Sequence, residues 1–332
     1  MRPFDLDGIS RYRDSLMGIA ILLVMLFHIG TPPTDAFYGL RRLGNVGVDI
    51  FLFLSGMGLW FAWCRNNSFR TFYRHRLRRI YPVWLVVAFI YYCRCYFIDG
   101  KDEGGLTDLI GDITLNWDFW LNGELTFWYV PAIAALYLVA PLYMELIRRQ
   151  PVYRWLPAML MLWCCVVEWV TPIHEALFHL EIFWSRLPIF FIGINMGESI
   201  RRKETVDGHA LWLLLLCFTA SLATCIYLEQ VRHWHYPLFV CRMLYIPLTV
   251  SALLLLTHIA DLMPACTLTH GIHRMLAFTG SLSLEIYLLH AQFVLIYVRP
   301  LELGYWPTFL LMLSICLPAA WLLRRIINVV VH

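Results

Sequence analysis

Charge is scarce in this chain. Only 15% of its 332 residues are Asp, Glu, Lys or Arg and 60% are apolar, whereas an ordinary soluble domain carries about a quarter charged residues. So much apolar surface has nowhere to go in water, which excludes a soluble globule and a disordered chain. Lysine is nearly missing too. The basic residues are almost all Arg, dealt out in short clusters, and 26 Lys+Arg against 23 Asp+Glu leave a net charge of only +3. No long basic face exists to neutralise a phosphate backbone, so no nucleic-acid partner is expected. Cys-x-x-Cys pairs are absent, and the ten Cys lie mostly inside apolar runs. Neither a disulfide framework nor a zinc site is indicated, and the adjacent Cys164 and Cys165 read as small apolar fillers. Internal repeats, linkers and soluble domains are missing as well.

What is present is a succession of apolar runs. A transmembrane helix needs about 20 mainly apolar residues, and such runs fall near 15–32, 46–64, 80–98, 127–147, 154–172, 185–199, 210–228, 237–261, 276–298 and 307–328. The expected fold is therefore all-α, a single transmembrane domain over 1–332 with about ten spans. The amphipathic stretch 104–126 is expected at the membrane interface. Ser15 to Pro32 is long enough to stay as an anchor, with no small-x-small cleavage site after it.

An even count puts both termini on one side, and the distribution of Arg decides which. One set of connecting segments holds Arg2, Arg11 and Arg13, then Arg65, Arg70, Arg74, Arg76, Arg78 and Arg79, then Arg148, Arg149 and Arg154, then Arg201, Arg202 and Lys203, then Arg274, Arg324 and Arg325. These are 18 basic residues, against 5 in the alternate loops: Arg41, Arg42, Lys101, Arg232 and Arg299. The bias places both termini in the cytoplasm. The outer connection before span four is acidic, with Asp102, Glu103, Asp108, Asp112, Asp118 and Glu124.

Titratable side chains at membrane depth are costly and are functional candidates by default. His28 closes the run SLMGIAILLVMLFH, about 6 Å below the outer end of span one, and Met17, Ile21 and Val24 share its face. Asp49 stands three residues into span two, at a matching depth of about 5 Å. A carboxylate holding one imidazole nitrogen would fix the tautomer and raise the basicity of the other, so Asp49 is expected to orient His28 as a general base. The plainer alternatives are an interfacial His bonded to backbone and a carboxylate favoured by a helix N-terminus. In FYRHRLRRIYP, residues 72–82, Arg76 and Arg79 lie one turn apart and can converge on one phosphate. An anchor for anionic lipid is the alternative.

Span nine carries Glu285, Tyr287 and His290. Together with Glu124 and Trp128 these are the candidate lining residues of a substrate cavity, yet Glu285 lies about 140° around the helix from His290. It and the Tyr287–His290 face are not expected to line one cavity together. Cys266, His270 and His273 lack a fourth ligand, so no metal is expected there. His233 and His235 flank Trp234, as aromatic-belt residues would.

Six segments in order, SLMGIAILLVMLFHIG at 15–30, NVGVDIFLFLSGMGL at 45–59, FYRHRLRRIYP at 72–82, FWYVPAIAALYLVAP at 127–141, RLPIFFIGINMG at 186–197 and GSLSLEIYLLH at 280–290, together resemble the acyltransferase 3 family of integral membrane acyltransferases. The resemblance spans essentially the whole chain. It implies a protein of the bacterial inner (plasma) membrane that transfers an acyl group, usually acetyl from acetyl-CoA, to a glycan hydroxyl. His28 matches the family's essential His, Asp49 its Gly-Val-Asp motif, and Arg76 and Arg79 its Arg-x-x-Arg pair near the donor. One position departs: the family usually has Arg eleven residues before the His, where this chain has Met17. Arg13 lies one turn further down, within about 60° of the His28 face, and reaches the same region.

The expected partners are thus acyl-CoA, a glycan acceptor and membrane lipids, with the oligomeric state left open. The expected chemistry is proton removal by His28, and Asp49→Asn is expected to slow turnover in a folded protein. The rival is a proton-coupled transporter or flippase of a lipid-linked glycan, in which His28, Asp49 and His290 would relay protons. Transporters often show inverted repeats, and none is detectable here.

Overall fold

A backbone in hydrocarbon can satisfy its N–H and C=O groups only within itself, so apolar runs of this length are driven into helices. The computed structural model describes residues 4–100, 104–231 and 236–331, and it is helical almost throughout. Arg2, Lys101, Asp102, Glu103, Arg232, His233, Trp234 and His235 lie outside the described residues.

Every apolar run carries a helix. The long ones are α1 Arg13–Ile29, α2 Val46–Arg65, α3 Phe69–Phe97, α4 Tyr129–Arg149, α5 Leu156–Trp169, α6 Leu187–Arg201, α7 Ala210–Val231, α8 Leu238–Leu262, α9 Thr267–Ser281, α10 Ser283–Leu289 and α11 Tyr305–Val331. The one strand pair among the described residues is antiparallel, Phe4–Asp5 against Thr205–Val206. Among the described residues seven helical stretches are long and apolar enough to cross a membrane, and a bent pair, Pro151–Trp169 with Thr171–Trp184, would make eight. At 17 and 15 residues, α1 and α6 are shorter, so length and composition by themselves support seven or eight spans against the ten expected. The bent pair turns through 98° at the extended Val170, two residues before Pro172, which has no N–H to donate to the Glu168 carbonyl and whose ring would clash with it in a continuous helix. The 104–126 stretch forms two short helices, Gly105–Leu115 and Trp117–Asn122.

The centre of the bundle is α2, buried along nearly its whole length, whereas α7 and α11 leave most of their surface outward. Two crossings bring backbones almost into contact. A Cβ on Gly193 of α6 would stand 2.2 Å from the Phe53 carbonyl oxygen of α2, and one on Gly280 of α9 would stand 2.0 Å from the Asp14 carbonyl oxygen of α1. Small residues permit such approach where there is no water to drive association. In this way α1 is clasped between α2 and α9. The segment after α9 is broken at Leu282, and α10 passes at His290 into a π-helical turn over His290–Leu295. Such turns re-aim side chains and cluster at functional sites.

Candidate active site

His28 sits in the last turn of α1, which stops at Gly30 with a φ of +73°. Its Nδ1 lies 2.8 Å from the carbonyl oxygen of Val24, and the Nε2 of the buried His290 approaches the same Nδ1 at 3.2 Å. The two rings meet edge to face with centroids 4.7 Å apart. Arg299 donates to the His28 carbonyl oxygen at 2.7 Å and ties the end of α1 to the far end of span nine.

Asp49 does not orient His28. Its carboxylate is buried on α2 and takes a hydrogen bond from Arg186 Nη1 at the start of α6, while Arg186 Nη2 donates to Asn45 Oδ1 at 2.8 Å. The reason is electrostatic: a fully buried carboxylate needs a counter-charge, which a guanidinium always supplies and a neutral imidazole does not. The partners that the His28 imidazole does have are His290 and the Val24 carbonyl.

Below this pair lies a cavity of about 470 Å³. Arg13, Arg65, Arg76 and Arg79 line one end; Met17, Ser55 and Tyr137 line the middle, and Val24, Val48, Phe51, Tyr129 and Tyr287 line the other end. The far end therefore reaches to one helical turn from His28 and His290. Arg13 has Asp14 at 3.4 Å, but among the described residues no carboxylate lies within ion-pairing distance of Arg65, Arg76 or Arg79. The Arg76 guanidinium rests 5.6 Å from the Phe72 ring centre and 5.8 Å from that of Tyr137, and its buried Nε has no hydrogen-bond partner. Four guanidiniums around one space, three of them unneutralised, make a pocket for an anion.

Of the five candidate lining residues only Tyr287 lines this cavity, its hydroxyl oxygen accepting from the Tyr129 amide at 3.2 Å. Glu285 points away, as its angle on the helix required, and is held by Arg324 through two hydrogen bonds of 2.8 and 2.7 Å. Trp128 is buried against Phe119 and Tyr129 instead of facing the cavity. Glu124 is exposed, beyond the end of the short helix Trp117–Asn122, whose Asp118 carbonyl takes its amide. His290 stands one turn beyond the cavity, on His28. Arg65, Ser55, Tyr129, Tyr137 and Arg186 were missed from sequence. Arg186 did carry a signal, as a charge at the lip of a span, but its partner lies 137 positions away and no spacing rule reaches that far.

Outside the cavity, Cys266 caps α9 with Thr269, the His270 Nδ1 lies 2.9 Å from the Cys266 carbonyl, and His273 stacks on Tyr12. At the opposite end, the carboxylate oxygens of Asp108, Asp112 and Asp118 lie within 4.8 Å of one another. Burial, with the neighbouring acids adding to it, pushes the Asp112 carboxyl up to about 7, although it accepts a hydrogen bond from the Asp118 amide.

No curated protein and no solved structure matches the chain. Among known families, the acyltransferase domain matches residues 11–325, nearly the whole length. The polytopic helical bundle, its Arg-lined cavity and this match converge: the chain belongs to the acyltransferase 3 family of membrane acyltransferases.

Proposed function

We propose that this acyltransferase moves an acyl group, acetyl in the first instance, from cytoplasmic acyl-CoA to a hydroxyl of a cell-surface or lipid-linked glycan. In this reading the chain crosses a bacterial inner membrane ten times with both termini in the cytoplasm, as the bias of Arg toward one set of loops favours. The observation that carries it is the cavity, with unneutralised Arg65, Arg76 and Arg79 beside Arg13 at one end and Val24 and Tyr287, a turn from His28, at the other. Arg13 to Val24 is eleven residues of helix, about 16 Å. A phosphate-bearing donor held at the Arg end would extend a slender thioester arm along that path.

The acceptor hydroxyl oxygen attacks the thioester carbonyl carbon as His28 Nε2 takes the hydroxyl proton. The carbon–sulfur bond breaks, and the proton passes to the departing thiolate, which leaves as free CoA. No metal enters this scheme. The guanidiniums bind the donor and align it, so their contribution is to effective concentration and orientation.

The test is complementation of a deletion strain with wild type or His28→Ala at equal membrane abundance, followed by measurement of O-acyl groups on surface glycans. Restoration by wild type alone is expected. Equal restoration by both would remove His28 from the chemistry, and no acyl difference in any strain would favour the transporter reading.

A further inference from the structure

The hydrogen bonds around span nine define which nitrogen of His28 is free. His290 Nδ1 lies 2.7 Å from the Tyr287 carbonyl oxygen and 3.1 Å from that of Ile286. Both are pure acceptors, so this nitrogen carries the proton and His290 Nε2 is left with a lone pair. That lone pair faces His28 Nδ1, which is also directed at the Val24 carbonyl oxygen. Two acceptors around one nitrogen require His28 Nδ1 to be the N–H, which leaves Nε2 as the bare, basic nitrogen. Among the described residues Nε2 has no hydrogen-bond partner of its own.

We propose that His290 is a positioning residue for the reaction: from the π-helical turn it begins, it accepts the His28 Nδ1–H, holding that ring in the tautomer and orientation in which Nε2 is the base. When His28 takes the acceptor's proton, its Nδ1–H becomes a stronger donor, and the two acceptors already in place stabilise the imidazolium without reorganising. A carboxylate would do this with a full charge, at the cost of burying it. Here the buried carboxylate is spent on Arg186, and a neutral imidazole takes the post. The inference deepens the acyl-transfer reading and rests on it.

The experiment uses the full chain in nanodiscs with acetyl-CoA and the glycan fraction of a deletion strain, following CoA release. Gln at 290 places an amide oxygen near the position of Nε2, whereas Asn reaches only to that of Nδ1 and Leu offers no acceptor. A well-placed base is worth roughly 10²–10⁴-fold, so loss of one of its two supports is expected to lower kcat by about tenfold. His290→Leu and His290→Asn should show that drop with the KM for acetyl-CoA unchanged, since the donor guanidiniums lie at the other end of the cavity. His290→Gln should recover most of kcat. An unchanged kcat in Leu and Asn, equal impairment in Gln and Asn, or a KM that rises in step overturns the positioning role alone. CoA release that is equal in wild type and His28→Ala overturns the acyl-transfer reading, and the positioning role with it.

Discussion

Two groups of Arg, one toward each end of the bundle, are handled in opposite ways; the Arg76 end also holds Arg that are paired, such as Arg324 on Glu285 and Arg201 on Glu198. At the end bearing His28, each guanidinium at the membrane lip among the described residues has a partner: Arg41 binds Asp35 at 2.8 Å, Arg42 lies 3.4 Å from Glu229, Arg186 holds Asp49, Arg242 holds Glu181, and Arg299 donates to the His28 carbonyl. At the end bearing Arg76, the guanidiniums of Arg65, Arg76 and Arg79 face a shared cavity with no carboxylate in range among the described residues. Charge neutralised within the fold ties helices together. Charge left unneutralised around a cavity is available to an anion that comes from outside, at a standing cost of repulsion.

The comparison breaks first at the unpaired end. Arg76→Ala with Arg79→Ala removes two charged donors, each worth roughly 1.5–3 kcal/mol. Acyl transfer at limiting acetyl-CoA should therefore fall by at least about a hundredfold, while the thermal midpoint holds, because no ion pair is lost. A midpoint that collapses would show these guanidiniums to be structural. At the paired end the outcome should invert. Asp49→Ala leaves Arg186 buried without its counter-charge, a loss of about 3–5 kcal/mol, read as a lowered midpoint and poor retention in the membrane. Arg186→Met together with Asp49→Leu should recover most of that stability, since an apolar pair of similar volume leaves no orphan charge. Failure of the double variant to recover would give the pair a role beyond neutralisation.

Smaller still is the effect of pH on the acidic trio. The Asp112 carboxyl, pushed up to about 7 chiefly by burial, favours the protonated folded form. Its contribution is complete below the ordinary carboxylate range and is lost as pH rises through about 7. The thermal midpoint should decline between about pH 4 and pH 7 and level off above, and Asp112→Asn should flatten that decline. A slope identical in the variant would place the titration elsewhere.

Much of the architecture was legible in the residues. Runs of apolar side chains in a chain with so few charges leave helices as the only way to satisfy the backbone, and each expected run is helical. Angular arithmetic within one helix also succeeded. It separated Glu285 from the Tyr287–His290 face, and the structure pairs that carboxylate with Arg324. Arg76 and Arg79, one turn apart in sequence, line one cavity for the same reason. What failed were pairings between helices. Asp49 and His28 stand at similar depth on consecutive helices, yet depth says nothing of rotation about the axis, and α6 offered Asp49 a stronger partner.

By itself the sequence determined what local geometry determines: helical runs bounded by Gly, Pro and Arg, the few titratable groups at depth, and which of them share a helical face. Those features follow from a period of 3.6 residues and from the cost of polar groups in hydrocarbon. Only the tertiary structure decided that His290 meets His28 across 262 positions, that Arg186 takes Asp49, and that Arg65 joins Arg13, Arg76 and Arg79 around one space. Those choices depend on the rotation and crossing of helices, which glycine contacts such as Gly193 on Phe53 and Gly280 on Asp14 set through backbone approach, a relation between distant segments that no local spacing encodes.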